Sequence, residues 1–424
     1  MVQTLKNLAK HGLRRHPYLR YWVKTAKKHW ENRNRVEHYR RESLICLEPD
    51  DASNRSFVKP KTPIGSNIEI TNACNLNCLM CNTKLQERPS RLMKPEVFER
   101  IILELKVAGI STAGLHTVGE TFVYKDLEAL LEIAQHHNFL VWISTNAQFP
   151  ERIEEVYTRF PGILNDIRIS VDGATAKTFE HIRVGGSFEK VIESFEVIYK
   201  LNEGKQNFRV GITLDSILNS DTIYEIPLYF ERFGKYMAQE NMNFWVVTGL
   251  SPDNSYFKRT FPFPNLIRSE VPCHFPFTNQ YFTYDGKATL CCRDYNEEIV
   301  VGDIMTSSLK EIWDGEEAER VREQHRNPDS LTINACQNCY GPHKFVETVT
   351  NNFIHYLHFK KPGISTDEFG DTLTALLEGM DQAMKNRDTL TLKNFVENMF
   401  NAVDRGLRLR PEQNHTKETA CPPS

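Results

Sequence analysis

Nowhere in the 424 residues is there a run of eighteen apolar side chains, the length a helix needs to cross the hydrocarbon core of a bilayer. A transmembrane segment is therefore not expected. The start, MVQTLKNLAKHGLRRHPYLRYW, lacks the continuous apolar stretch and small-residue cleavage site of a secretory signal, and a cytoplasmic location is the expectation. Disulfide frameworks belong to short secreted chains. Here ten cysteines are spread through a long chain of 40% hydrophobic and 25% charged residues, and most fall in closely spaced groups that suit metal or cluster ligation better. No nucleic-acid-binding module accompanies the basic charge, so nucleic acid is not an expected partner.

The net charge of -3 is unevenly distributed. Residues 1–43 carry twelve Lys and Arg against three Glu, so the amino-terminal segment is basic and the remainder acidic. Leu19, Trp22, Val23, Ala26 and Trp30 recur at helical spacing among Arg20, Lys24, Lys27 and Lys28, the pattern of a basic amphipathic helix. Its expected partner is an anionic membrane surface, an acidic protein or the acidic body of this same chain.

From Asn67 to Leu250 strand-like runs alternate with segments of helical period, the pattern of repeated βα units on a parallel sheet. The expected strands are Ile68–Thr71, Ser111–His116, Leu140–Thr145, Ile167–Asp172, Arg209–Leu214 and Phe244–Gly249. Helices are expected over Pro95–Val107, Leu127–His136, Ile153–Arg159, Phe188–Leu201 and Tyr224–Phe233. The fold class is α/β, and six units make a partial, open-sided (β/α)6 barrel of TIM type, whose chemistry belongs to the loops at the carboxyl ends of the strands. The linker SPDNSYFKRTFPFPN then leads to a cysteine-bearing region. Beyond it, Leu373, Leu376, Leu377, Met380, Ala383 and Met384, then Phe395, Val396, Met399, Phe400 and Val403, are spaced for two amphipathic helices. The last residues, PEQNHTKETACPPS, read as disordered. The expected division is 1–60 for a helical extension, 61–262 for the barrel, 263–350 for the cysteine-bearing domain and 351–424 for a helical segment and tail.

Immediately after the first expected strand comes TNACNLNCLMCN, with Cys74, Cys78 and Cys81 in a C-x3-C-x2-C arrangement. Three thiolates on one short loop can hold a cubic [4Fe-4S] cluster and leave one iron open. An open coordination position is what separates a catalytic metal site from a closed structural one. The alternative is a zinc knuckle, but no nearby His or fourth Cys completes a tetrahedral site.

The triplet and the motifs that follow it resemble the radical SAM superfamily. The resemblance implies that the open iron binds the amino and carboxylate groups of S-adenosylmethionine (SAM), which is split to a 5′-deoxyadenosyl radical that abstracts hydrogen from a substrate. It also implies an external reductant such as flavodoxin or ferredoxin. In the same terms, Gly119 and Glu120 in TVGETF look like a variant of the Gly-Gly-Glu-Pro motif that binds the SAM amino group, with Val118 and Thr121 departing from it. Ser144 and Asn146 in ISTNA are similar to the segment lining the ribose. Ser170 and Asp172 in ISVDG, and Arg183 in HIRVGGSFEKV, stand where related enzymes use Ser and Arg for the SAM ribose and carboxylate. Met80 occupies the apolar position whose backbone meets adenine.

Cys273, Gly286, Cys291, Cys336 and Cys339, with VGDIMTSSLKEIW between them, resemble the SPASM iron–sulfur domain. YFTYDGKATLCC reads as a hairpin with its turn at Asp285-Gly286, returning Cys291 toward Cys273. Two-cluster SPASM domains continue C-x2-C with x5-C-x3-C, but Phe345 and Val349 stand at those positions. One auxiliary [4Fe-4S] cluster bound by Cys273, Cys291, Cys336 and Cys339 is the expectation, with a four-cysteine zinc site as its alternative. Cys292, on the opposite side of its strand from Cys291, is expected to be a buried thiol or, more sharply, a hydrogen-atom donor. The expected reaction is the oxidation of a sugar or other small molecule, because no precursor-peptide-binding domain is recognisable. A peptide maturase, a redox-neutral epimerase and a non-enzymatic metal-binding scaffold are the alternatives.

Overall fold

A computed structural model describes residues 34–47, 58–203, 209–246, 255–267, 273–327, 330–337, 339, 344–385 and 389–411. Nine strands form one sheet: β1 (Gly65–Ile68), β2 (Thr112–Leu115), β3 (Leu140–Thr145), β4 (Leu164–Ser170), β5 (Gly211–Leu218), β6 (Met242–Val246), β7 (Asn279–Phe282), β8 (Lys287–Thr289) and β9 (Val300–Asp303). Their order is β6-β5-β4-β3-β2-β1-β7-β8-β9. The first six are parallel, as expected of βα units. Helices Pro95–Val107, Leu127–His136, Pro150–Arg159, Phe188–Asn202 and Ile226–Phe233 follow successive strands. Pro95 at the start of the first suits a turn whose backbone N–H has no partner, and Ser187 caps the fourth by accepting from Lys190 N.

Side chains alternate across the sheet. On β4, Ile167 and Ile169 are fully buried among the apolar core, whereas Asp166, Arg168 and Ser170 share the other face. On β5, Ile212 and Leu214 alternate with Thr213 and Asp215 in the same way. The sheet thus has an oily face that buries helices and a polar face, and the polar one lines the barrel interior.

The sheet continues past the barrel strands: β7 pairs parallel with β1, from Gly65 opposite Asn279 to Ile68 opposite Phe282, and the antiparallel β7–β8 hairpin extends the sheet beyond it. The turn falls at Gly286 as expected, with φ +89°. The first strand begins three residues early, at Gly65 rather than Ile68. Its polar sequence GSNI is held by β7, and Glu69 N still donates to Phe282 O. Ile70 and Thr71 then turn away to meet Met93 and Leu92.

The carboxyl-terminal helices Thr366–Lys385 and Thr389–Asp404 bury the apolar stripes read from the sequence, including Leu373, Leu376, Met380, Val396 and Phe400. A third helix, Lys344–Lys360, runs across the 350/351 division and carries Phe345 and Val349. It closes the exposed edge of β6. Asn351 Oδ1 accepts from Phe244 N at 2.7 Å while Nδ2 donates to Phe244 O at 2.8 Å, and His355 Nε2 lies 3.0 Å from Met242 O. Side-chain amides therefore stand where another strand would pair.

The helix of residues 34–45 packs on this bundle. Tyr39 stacks on His355 with centroids 5.4 Å apart, and Arg40 bonds Asp404 at 3.1 Å and Asn401 at 2.7 Å. The amphipathic helix expected around residues 19–30 lies outside the described residues, as do residues 412–424 with Cys421. Among the described residues no helix is long and apolar enough to cross a membrane.

His355 makes this bundle acid-sensitive. Burial is the main cause that presses its pKa from 6.5 down to about 4, so the ring is neutral in the fold and donates from Nε2. Below pH 6.5 the unfolded chain binds the proton and the fold does not, so stability falls as pH drops toward 4. A shift of this size corresponds to about 3 kcal/mol. Thermal unfolding followed from pH 7 to pH 4.5 should show this loss in the wild type and a smaller one in His355→Gln. Equal slopes would remove His355 from the account.

Candidate functional site

The loop after β1 carries Cys74, Cys78 and Cys81 and is held by backbone bonds to two other segments. Asn77 N donates to Val184 O and Leu79 N to Ile182 O, both at 2.9 Å, and Glu120 N donates to Ala73 O at 2.8 Å. Gly119 lies against this loop at φ +83°, where a Cβ would fall 2.5 Å from Thr71 O and 2.8 Å from Ala73 O. Only glycine fits there. The motifs after β2 and β4 thus dock onto the cysteine loop itself.

Around the loop the polar groups form one chain of contacts. Glu120 is buried, and its carboxylate accepts from Thr145 Oγ1 and Asn146 N at 2.7 Å and from Phe122 N at 3.1 Å. Burial raises its pKa, opposed by these hydrogen bonds and by Arg183. Asn146 Nδ2 donates to Asn75 Oδ1 at 2.8 Å and reaches Cys74 Sγ at 3.9 Å. Ser170 ends β4 and Ser144 is the last residue but one of β3, and Met80 is buried within the loop. One oxygen of Asp172 holds Arg183 at 2.7 Å and the other accepts from Ile217 N at 2.7 Å, so its carboxylate aims Arg183 from a fixed position.

Arg183 in turn faces the thiols. Burial pushes Cys78 up to about 12, Arg183 pulls it back, and Cys81, Asp172 and Cys74 add to the rise. Burial likewise raises Cys74, with Glu120 and Cys81 adding to it and Arg183 opposing. The three thiols are close enough to feel one another's charge beside a buried cation that offsets thiolates. Sequence reading missed Thr145, which completes the Glu120 clamp, and His116 at the end of β2. Burial, then Arg168 and Arg183, hold His116 down to about 4, which leaves a neutral imidazole near the barrel interior.

The second group is assembled from three segments. Cys273 precedes β7, Cys291 follows β8, and Cys336 and Cys339 flank the end of helix Asn334–Gln337. Burial raises the Cys291 thiol, with Cys292, Cys273 and Cys339 adding to the rise. Cys336 joins through His325, whose Nε2 lies 3.6 Å from Cys336 Sγ while Nδ1 accepts from Cys273 N at 3.3 Å. Cys292 hydrogen-bonds Tyr281. Tyr281 pairs with Asn67 of β1 and accepts from Asn279 Nδ2 at 2.8 Å.

Both groups fit iron–sulfur clusters by donor chemistry: soft thiols on one loop beside a cation in one case, cysteines brought together from three segments in the other. None of the described cysteines is in a disulfide. Among the described residues no three His, Cys, Asp or Glu side chains converge as a ready site for a single ion.

Arg88 ties the segment after Cys81 to Glu69 and to the segment after Cys291, and was not legible in the sequence. It makes two bonds of 2.9 Å to Glu69 at the end of β1, one of 2.6 Å to Glu297 and one of 2.8 Å to Tyr295 O.

Residues 68–216 match the family described as the radical SAM superfamily, and residues 273–340 match the iron–sulfur cluster-binding SPASM domain. Mycofactocin maturase MftC is similar at 29% identity over 174 residues in Mycolicibacterium smegmatis, which is 41% of this chain and 43% of that protein. Its counterpart in Mycobacterium tuberculosis is 33% identical over the same shares. A probable GTP 3′,8-cyclase of Pyrococcus abyssi is 29% identical over 34% of this chain and 46% of that one. The chain spans less than half the length of these curated relatives. In fold, Streptococcus suis SuiB bound to precursor peptide SuiA superimposes with a TM-score of 0.50 at 16% identity, covering 68% of this chain and 73% of that one.

Proposed function

We propose, from the premise that this chain belongs to the radical SAM superfamily and carries a SPASM domain, that it is a maturase abstracting hydrogen from a peptide. The cofactors of this family are a SAM-binding [4Fe-4S] cluster, an auxiliary [4Fe-4S] cluster and SAM, which together supply reductive cleavage of SAM and a path for the substrate's second electron. Cys74, Cys78 and Cys81 hold the first cluster, and Cys273, Cys291, Cys336 and Cys339 hold the second. Glu120, fixed by Thr145 and Asn146, takes the SAM amino group. Arg183, aimed by Asp172, takes its carboxylate, and Gly119, Ser144, Asn146, Ser170 and the Met80 backbone line the nucleoside. The observation that carries this reading is the docking of the β2 and β4 loops onto the cysteine loop, which brings separately encoded motifs to one place.

The peptide substrate is supported by the maturase relatives and replaces the sugar or small-molecule substrate expected from the sequence. The domain division at residues 60, 262 and 350 belongs to the same proposal, as do a cytoplasmic location and a flavodoxin or ferredoxin reductant. The test is anaerobic reconstitution followed by mass spectrometry of peptides encoded beside the gene, incubated with SAM and dithionite. Loss of two hydrogens from one of them is the expected result. Turnover of aminocyclitols or sugars with no peptide modified would restore the small-molecule reading.

The auxiliary site has its own test. A Cys336→Ala/Cys339→Ala protein should still form 5′-deoxyadenosine while losing modified product and about half its iron. Unchanged iron with zinc lost instead would make the site structural zinc.

A further inference from the structure

His325 sits near the end of helix Glu316–Arg326 and is 2% exposed. One turn earlier on this helix, buried Arg322 donates to Pro276 O at 2.9 Å and Trp313 O at 2.8 Å. The ring therefore projects from an anchored frame. Its two nitrogens meet two of the four auxiliary cysteines, which lie 63 residues apart in the chain. The Cys273 backbone N–H can only donate, so Nδ1 at 3.3 Å must be the unprotonated nitrogen. The proton then resides on Nε2, which points at Cys336 Sγ across 3.6 Å. Fixing one ring nitrogen through the bond made by the other is how proteins select an imidazole tautomer. A protonated Nε2 cannot coordinate iron, so this histidine is not a substitute ligand.

We infer that His325 is a positioning residue of the auxiliary site, tying the Cys273 segment to Cys336 and donating an N–H···S hydrogen bond that raises the reduction potential of the cluster. The inference rests on the auxiliary-cluster reading above. A hydrogen bond to a ligand sulfur stabilises the more negative, reduced state, and the dry surroundings of a buried ring strengthen it.

The experiment uses the full chain, anaerobically reconstituted with Cys74, Cys78 and Cys81 replaced by Ala so that the auxiliary signal stands alone. Iron content and the reduction potential followed by electron paramagnetic resonance are measured for His325, His325→Phe, His325→Met and His325→Gln. The expected result is a more negative potential in the Phe and Met variants at unchanged iron, with Gln, which keeps an N–H donor, nearer the wild type. Iron lost from Phe and Met but kept by Gln also supports the positioning role. An unmoved potential in Phe and Met, or iron lost from all three variants, overturns it. A His325 protein that binds no iron in this background overturns the auxiliary-cluster reading instead.

Discussion

Replacing Cys74, Cys78 and Cys81 together with alanine is expected to abolish 5′-deoxyadenosine formation and to remove about four irons per chain. The cysteine loop is tied by backbone bonds to Glu120, Ile182 and Val184 rather than by the thiols themselves, so the fold has reason to survive the change. The loss should thus appear as a specific absence of one cluster, with the auxiliary irons and the circular dichroism spectrum retained. All interactions aimed at SAM in the proposed site, from Glu120 to Arg183, become idle without an electron donor beside them. A triple variant that still cleaves SAM at the wild-type rate would refute the assignment of these three residues.

Arg88→Met should cost stability on a scale few other single changes reach. The Arg88, Glu69 and Glu297 side chains are 8%, 3% and 9% exposed respectively, so the guanidinium is enclosed with two carboxylates. Burial raises the Glu69 pKa while Arg88 lowers it. Removing the cation leaves the buried Glu69 carboxylate with Thr117 Oγ1 but no counter-charge, while Glu297 keeps Lys287 at 2.7 Å, and breaking a buried pair in this way is a defect of about 3–5 kcal/mol. Arg88→Lys should recover little, since a single ammonium cannot make the paired bonds to Glu69 or reach Tyr295 O at the same time. Urea unfolding monitored by tryptophan fluorescence reads the effect as a lower midpoint; a change under about 1 kcal/mol would show that water or rearrangement compensates.

The regular parts of this molecule were legible because their burial follows a period. Strand Leu140–Thr145 and helices Pro95–Val107 and Leu127–His136 have the bounds read from the sequence, since each has an apolar repeat with Pro, Gly or polar residues at its ends. Cys74, Cys78 and Cys81 were legible because a cluster loop requires short spacing. Arg88 and Glu69 were not, because an ion pair between a loop and a strand end leaves no periodic trace; a Glu within an apolar strand was the one available hint. His325 was hidden for the same reason, being one charged-type residue on a helix rich in Glu and Arg. The parallel pairing of β7 with β1 joins segments more than 200 residues apart, and local sequence does not encode which edge a distant strand will choose.

That pairing has a mechanical consequence. The loop with Cys74 leaves β1 and the hairpin leading to Cys291 begins with β7, so both thiol groups are mounted on neighbouring strands of a single hydrogen-bonded lattice. Swinging one away from the other would break the ladder from Gly65 to Ile68 and, beside it, the Arg88 clamp. The Cys74 loop and the segment leading to Cys291 are therefore carried by one body, and their separation is set by the strand ladder and not by the closure of one domain on another.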